Sequence, residues 1–126
     1  MRTEIMALLS STLGPLGYPI GWPGVNFTPP GSGYWLEVTL FENSPLQPYL
    51  GNDDGPLLQG MIQVLACTRP GSGLVGVSGV ADQVVAALPK GTRINSAAKI
   101  NRHPYRMADD VEDARVVIPV TAEYGP

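Results

Sequence analysis

The most reactive side chains in this sequence are those of His103 and Cys67, the single histidine and the single cysteine of the chain. Together they could form one thiolate–imidazole pair for nucleophilic catalysis, but no third group is identifiable that would orient the imidazole. His103 precedes Pro104 at a predicted strand end, where we expect a structural role. Cys67 shares a predicted strand face with Met61 and Leu65, which is typical of a small buried hydrophobic residue. These residues do not predict an enzyme.

Acidic side chains form two clusters that could attract a metal ion. One cluster is Asp53 and Asp54, and the other lies within residues 109–113. Calcium sites use oxygen ligands at alternating positions with a glycine at the tight turn, and neither cluster has that spacing. We interpret both clusters as solvated turns, and the single cysteine excludes a multi-cysteine metal site. The sequence predicts neither a metal nor a cofactor.

A glycine-rich stretch at residues 71–79, GSGLVGVSG, precedes the second predicted helix. Helix N-termini bind anions, so this stretch raises the alternative of a small-molecule or anion-binding module. It lacks the Gly-Lys-Ser/Thr ending of a phosphate loop and the GxGxxG spacing of a dinucleotide site. A structural turn is therefore the preferred interpretation.

The charge balance limits the partners that the chain can have. The net charge is −3 and the isoelectric point is near 4.9, so the clustered basic residues that grip nucleic acid phosphates are not expected. Only 15% of residues are charged, which indicates a surface partly covered by partners. Because no apolar run approaches the length of a bilayer span and the N-terminus lacks a leader pattern, we expect a soluble protein made in the cytoplasm.

Hydrophobic periodicity predicts two helices. Ile5, Leu8 and Leu9 recur at helical spacing and predict a helix over residues 3–13, which the following Gly-Pro pair ends. An apolar stripe from Val77 to Leu88 predicts a second helix, with a poorly determined start because glycines precede it. Each helix has one apolar face and must pack on a further element.

Aromatic and β-branched residues predict a central strand over residues 34–41, reached through a proline-rich loop. Its even positions share one face, which we predict to face the core, and its odd positions, including Trp35 and Phe41, share the other. Pro119 is predicted to lie at a sheet edge or a bulge, and residues 107–113 to form the loop of a closing hairpin. The other strand candidates span residues 18–22, 57–68, 92–95, 98–105 and 114–124.

These elements predict a single α+β domain over residues 1–126, with a mainly antiparallel sheet of four to five strands and two helices packed on one face. Two helices cover only one side of a sheet. The other side then presents an apolar patch, which usually marks a partner surface, unless the loop at residues 15–30 folds over it. The sequence leaves both possibilities open. The residues on that face are Trp35, Phe41, Met61, Leu65 and Val117.

The whole chain resembles the tail-terminator or tail-completion proteins of long-tailed bacteriophages and prophages. The resemblance rests on GWPGVNFTPPGSGYWLEVTLF at residues 21–41, the strand at residues 60–67, AALPKGTRI at residues 86–94 and the closing VVIPVTAEY at residues 116–124. In that family a Trp-Pro segment leads into a central strand, a helix ends in a Pro-Lys-Gly-Thr turn, and a Pro-Val strand completes the sheet.

The resemblance implies a non-enzymatic virion protein, assembled in the bacterial cytoplasm, that forms a homo-oligomeric ring, typically a hexamer, on the head-proximal end of the tail tube. Its implied partners are the tail tube protein and the head–tail connector, with DNA only passing through the lumen and no membrane contact. A related neck or tail-tube ring component is the alternative. We expect the interface to use Trp35, Phe41, Met61 and Leu65 on the sheet and Leu46 and Tyr49 in the loop at residues 42–56. The lumen candidates are Asp109, Asp110 and Asp113.

Overall fold

A computed structural model describes residues 2–30, 33–42, 60–71, 74–94, 98–108, 110–112 and 115–125. It has the predicted α+β architecture, with two helices and one sheet. Neither helix in these ranges combines the length and apolar character that a membrane span needs. The helices are α1 (Arg2–Leu13) and α2 (Leu74–Ala87), with a short 3₁₀ turn at Gly14–Leu16. The strands are β1 (Ile20–Gly21), β2 (Tyr34–Glu42), β3 (Gly60–Thr68), β4 (Lys99–Ile100), β5 (Tyr105–Arg106), β6 (Asp110–Glu112) and β7 (Arg115–Gly125).

Three long strands form the centre of the sheet, in the order β2, β3, β7, and both neighbouring pairs are antiparallel. The two-residue strand β1 pairs in parallel with β2, while β4, β5 and β6 pair with the outer side of β7. The described residues therefore form seven strands, and the prediction of four to five was too low. It was too low because short strands of two or three residues carry little periodic signal.

The hydrophobic core lies between the two helices and one face of the sheet. The even positions of β2, as predicted, face it, together with the inward residues of β3 and β7. Each fully buried aliphatic side chain there stabilises the fold by about 1.5–3 kcal/mol relative to an exposed one. The helical contributions are Ile5, Leu9 and Leu13 from α1 and Val77, Val80, Ala81 and Val84 from α2, followed by Leu88 just beyond α2.

Polar contacts fix α2 against its surroundings. The Tyr18 hydroxyl donates a hydrogen bond of 2.8 Å to Gln83 Oε1, and Arg106 on β5 forms a 2.8 Å ion pair with Asp82. Both pairs lie at the surface, so each adds only a little free energy to the packing of the helix.

Pro119 lies within β7, where it faces Leu65 of β3 in the register. Its carbonyl accepts a hydrogen bond from the Met107 amide, so its amide side faces outward, towards the break between β5 and β6. A missing N–H group is tolerated at such a break. The prediction for residues 107–113 was wrong in part, because β6 occupies three of them and pairs with Val117, Val116 and Arg115.

Candidate functional site

The sheet face opposite the helices is divided into a covered end and an exposed end. At the covered end Trp35 has no exposed surface and packs with Cys67 and Val117, beneath Phe27. The guanidinium of Arg69 lies 5.1 Å from the centroid of the Trp35 ring. The proline-rich loop therefore covers this end, and Trp35 is an internal packing residue that a partner cannot reach.

A charged network lies beside the Trp35 ring. Glu37 forms an ion pair with Arg115 and accepts a 2.8 Å hydrogen bond from the indole Nε1 of Trp35. Burial alone would raise the pKa of the Glu37 carboxyl, but the hydrogen bonds from Arg115 and Trp35 and the Arg115 charge outweigh it. The pKa therefore lies below its ordinary value of 4.5. At neutral pH Glu37 is thus an ionised carboxylate that Arg115 and Trp35 stabilise.

A cavity of about 480 Å³ opens above this network. The ionisable groups among its described lining residues are Glu37, Arg69 and Arg115, and the Thr39 hydroxyl also lines it. Cys67 lies fully buried nearby, with its Sγ 3.5 Å from the Leu65 carbonyl oxygen. These groups can hold the proline-rich loop on the sheet.

The exposed end of the same face carries an apolar groove. We define the groove by Phe41, Met61, Tyr105 and Met107, which are 45%, 38%, 39% and 49% exposed. They surround a cavity of about 280 Å³ that Gln63 and Thr121 complete. Large apolar side chains grouped in this way are typical of a protein–protein contact surface.

The order of strands in the sheet explains how the groove forms. Phe41 and Met61 face each other across β2 and β3, and Tyr105 faces Thr121 across β5 and β7. Met107 follows two residues after Tyr105, and its Sδ lies 3.6 Å from the hydroxyl of Thr121. Thr121 is buried at this contact, although its position in β7 places it on the sheet face opposite the helices.

The sequence pattern identified only half of the groove. Phe41 and Met61 were predicted as surface residues, whereas Tyr105 and Met107 were not. The apolar–polar–apolar alternation of Tyr105, Arg106 and Met107 is the sequence signal that could have identified these two residues. It is only three residues long, so it becomes clear only when β5 pairs with β7.

The remaining predicted residues are distributed differently. Leu65 is partly buried against the Trp35 cluster, and Asp110 begins β6. His103 is exposed, in contrast to buried Cys67, and among the described residues no three potential metal ligands come together. The candidates outside the described residues are Leu46, Tyr49, Asp109 and Asp113.

These features define a small α+β protein with an exposed apolar groove, a surface that is typical of proteins that assemble with partners. A family model described as phage tail terminator protein matches residues 4–124, nearly the whole chain. The chain therefore belongs to the phage tail terminator family, which gives it a structural role in the phage tail.

A solved protein structure has the same fold, with a TM-score of 0.77 and 19% sequence identity. The match covers 99% of this chain and 94% of the other. A search of curated proteins found no match. The likeness at this identity concerns the fold, and the family assignment rests on the match over residues 4–124.

Proposed function

We propose that the protein forms a homo-oligomeric ring, most simply a hexamer, on the head-proximal end of the phage tail tube. There it stops tube growth and presents a surface to the head–tail connector protein. The observation that carries this proposal is the match to the tail terminator family over residues 4–124. The protein acts by assembly and catalyses no reaction.

The exposed groove supports this proposal because ring subunits need accessible, complementary surfaces. A ring closes through heterologous contacts, so each subunit must present two different surfaces to its neighbours. We assign the residues of the groove to these contacts between subunits. The loop at residues 42–56, with Leu46 and Tyr49, forms part of a subunit contact or of the contact with the tube.

The acidic balance of the chain suits a lumen through which DNA passes. With a net charge of −3, the protein offers few sites that would retain the negatively charged duplex. Asp109, Asp110 and Asp113 are the proposed lumen residues. In this arrangement the protein is a virion component, assembled in the bacterial cytoplasm, that contacts DNA only in transit and no membrane.

The proposal is tested by adding the purified protein to polymerising tail tube subunits and measuring tube lengths by negative-stain electron microscopy. We expect tubes to stop growing and to carry an annulus at one end. Tubes that lengthen by incorporating the protein would identify a tube component instead. Tubes of unchanged length without annuli would contradict a terminator role.

Two variants test the groove in the same assay. Phe41→Asp places a charge in the groove and should abolish arrest of tube growth. Val75→Asp is the matched control, because Val75 is 90% exposed, in the first turn of α2 and outside the groove. An aspartate there is compatible with the helix N-terminus. If Phe41→Asp arrests growth as well as wild type does, the groove is not a contact surface.

A further inference from the structure

One edge of the sheet is only partly covered. The short strand β1 pairs with Leu36 and Glu37, and in the described part of the chain no strand continues along the outer side of β2 beyond Glu37. In the described part of the chain, the five residues of β2 from Val38 to Glu42 therefore have no strand partner on their outer side, and we call them the open edge. An open edge is a template for pairing with another extended segment.

The direction of the backbone groups along this edge follows from one hydrogen bond. The Leu36 amide donates to the Pro19 carbonyl at 2.9 Å, so the N–H and C=O groups of Leu36 point towards the edge. Successive residues of a strand alternate in direction, so Val38, Leu40 and Glu42 also direct their backbone groups outward. The edge thus offers three residues with donors and acceptors for a pairing strand.

This edge lacks three of the features that usually prevent pairing. The segment VTLFE contains neither proline nor lysine, and the register between β2 and β3 runs without a bulge from Tyr34 to Glu42. The cavity of about 480 Å³ is also lined by Gly21, Val38 and Thr39, so it reaches the point where β1 ends.

The opposite side of the sheet presents a different edge, where β5 and β6 pair only with β7 within the described residues, while β4 also bonds to residues 91–94. Because β2, β3, β7 and β5 alternate in direction, β5 runs antiparallel to β2. A second copy related by rotation about an axis along the strands would bring its β5 antiparallel to this β2. The two edges are unlike, as a ring contact requires.

We propose that the open edge of β2 pairs with β5 of a second copy, so that the sheet continues from one subunit to the next. Phe41 of one copy then lies beside Tyr105 of the next copy on the same face, and the two halves of the groove rim form an apolar contact. This inference rests on the proposed ring and specifies which edges build it.

The test uses disulfide cross-linking of the double variant Phe41→Cys/Tyr105→Cys under mild oxidation. A disulfide needs Cα atoms within about 7 Å. Within one copy the two positions are three strand spacings apart, roughly 14 Å, which excludes an internal disulfide. We expect a ladder of covalent oligomers that ends at the ring size on a non-reducing gel. Each single variant should give no ladder, because cysteine at only one edge can form dimers at most.

Met61→Cys/Tyr105→Cys is the matched control. Met61 lies on the same face with similar exposure, but β2 separates it from the edge. This variant should not form the ladder, and buried Cys67 should remain reduced throughout. A ladder from the control, or none from the Phe41 variant in assembled rings, would overturn the assignment of edges. A cross-link from position 41 to the tube subunit would assign that edge to the tube instead.

The two proposals fail separately in this design. One result is that the reduced double variant arrests tube growth and forms annuli, and yet gives no ladder of covalent oligomers when it is oxidised. That result contradicts only the edge pairing. Wild-type protein that neither forms annuli nor arrests growth contradicts the ring itself.

Discussion

Glu37 and Arg115 form an ion pair on the sheet face opposite the helices, although β3 separates their two strands. Their side chains are 24% and 17% exposed, so water screens the pair only in part. The indole of Trp35 donates to the same Glu37 oxygen, which ties the buried ring to the charges. The pair therefore joins the first and third long strands and holds the covered end of the face together.

Stability should depend on pH through Glu37. Its pKa in the folded protein lies below the ordinary 4.5, so its contribution is present above that pH and is lost as the pH falls through the folded value. Glu37→Gln should lower the unfolding free energy at pH 7 by about 1–3 kcal/mol and flatten the decline below pH 4.5. Urea unfolding between pH 3 and pH 7 measures both effects.

Glu123→Gln is the control for this pH dependence. Glu123 pairs with Arg102, whose side chain is 65% exposed, so its loss should cost less than about 1 kcal/mol. Equal losses in the two variants would show that the Glu37 pair has no special role.

Trp35 and Phe41 occupy the same face of β2, but truncation of Trp35 should mainly affect stability and truncation of Phe41 should mainly affect assembly. Trp35→Ala opens a cavity in the interior and should cost about 3–5 kcal/mol of unfolding free energy. Phe41→Ala removes a half-exposed ring and should cost about 1 kcal/mol or less, while weakening assembly. Chemical denaturation and sedimentation velocity separate these effects. A Trp35→Ala protein of normal stability that fails to assemble would contradict the internal role of Trp35.

The contrast between these residues shows how far the sequence determines the site. The period of two in β2 correctly separated Leu36 and Val38 from Trp35 and Phe41, because a strand sends neighbouring side chains to opposite faces. That period could not decide which part of the second face stays exposed. The answer depends on the loop that carries Phe27 over Trp35, which is a tertiary contact without a local signal.

The short strands show the same limit. The acidic segment before β7 contains Asp110 and Glu112, and its composition favoured a solvated loop. It nevertheless pairs with β7 at Val117 and Arg115, since a long neighbouring strand supplies a ladder for any extended segment beside it. The long elements, with several periods of alternation, were predicted within a few residues.

Two glycines of α2 should respond differently to alanine. A Cβ at Gly79 would meet no atom within 4 Å, so Gly79→Ala should raise stability by about 0.5–1 kcal/mol through helix propensity. A Cβ at Gly76 would overlap the Tyr34 hydroxyl oxygen. Gly76→Ala must therefore displace the Tyr34 ring from its edge-to-face contact with Tyr18. We expect it to be about 1–3 kcal/mol less stable than Gly79→Ala in urea unfolding. Equal stability of the two variants would contradict this close approach.

Deletion of residues 43–54 should separate folding from assembly. Glu42 and Gly60 lie directly opposite each other in the register of β2 and β3. Residues 55–59 that remain are enough to close an antiparallel hairpin, so the fold should persist in circular dichroism and thermal unfolding. If this segment contacts a neighbouring subunit or the tube, the deleted protein should form neither annuli nor arrested tubes.

A variant in which glycine and serine replace the same residues at equal length controls for this deletion. It preserves the spacing of the strands but removes Leu46 and Tyr49, the apolar side chains that we assign to the contact. Loss of tube arrest in both variants would show that these side chains are needed, whereas loss in the deletion alone would show that length is the requirement. Arrest by the deleted protein would mean that the groove and the open edge of β2 build the ring without this loop.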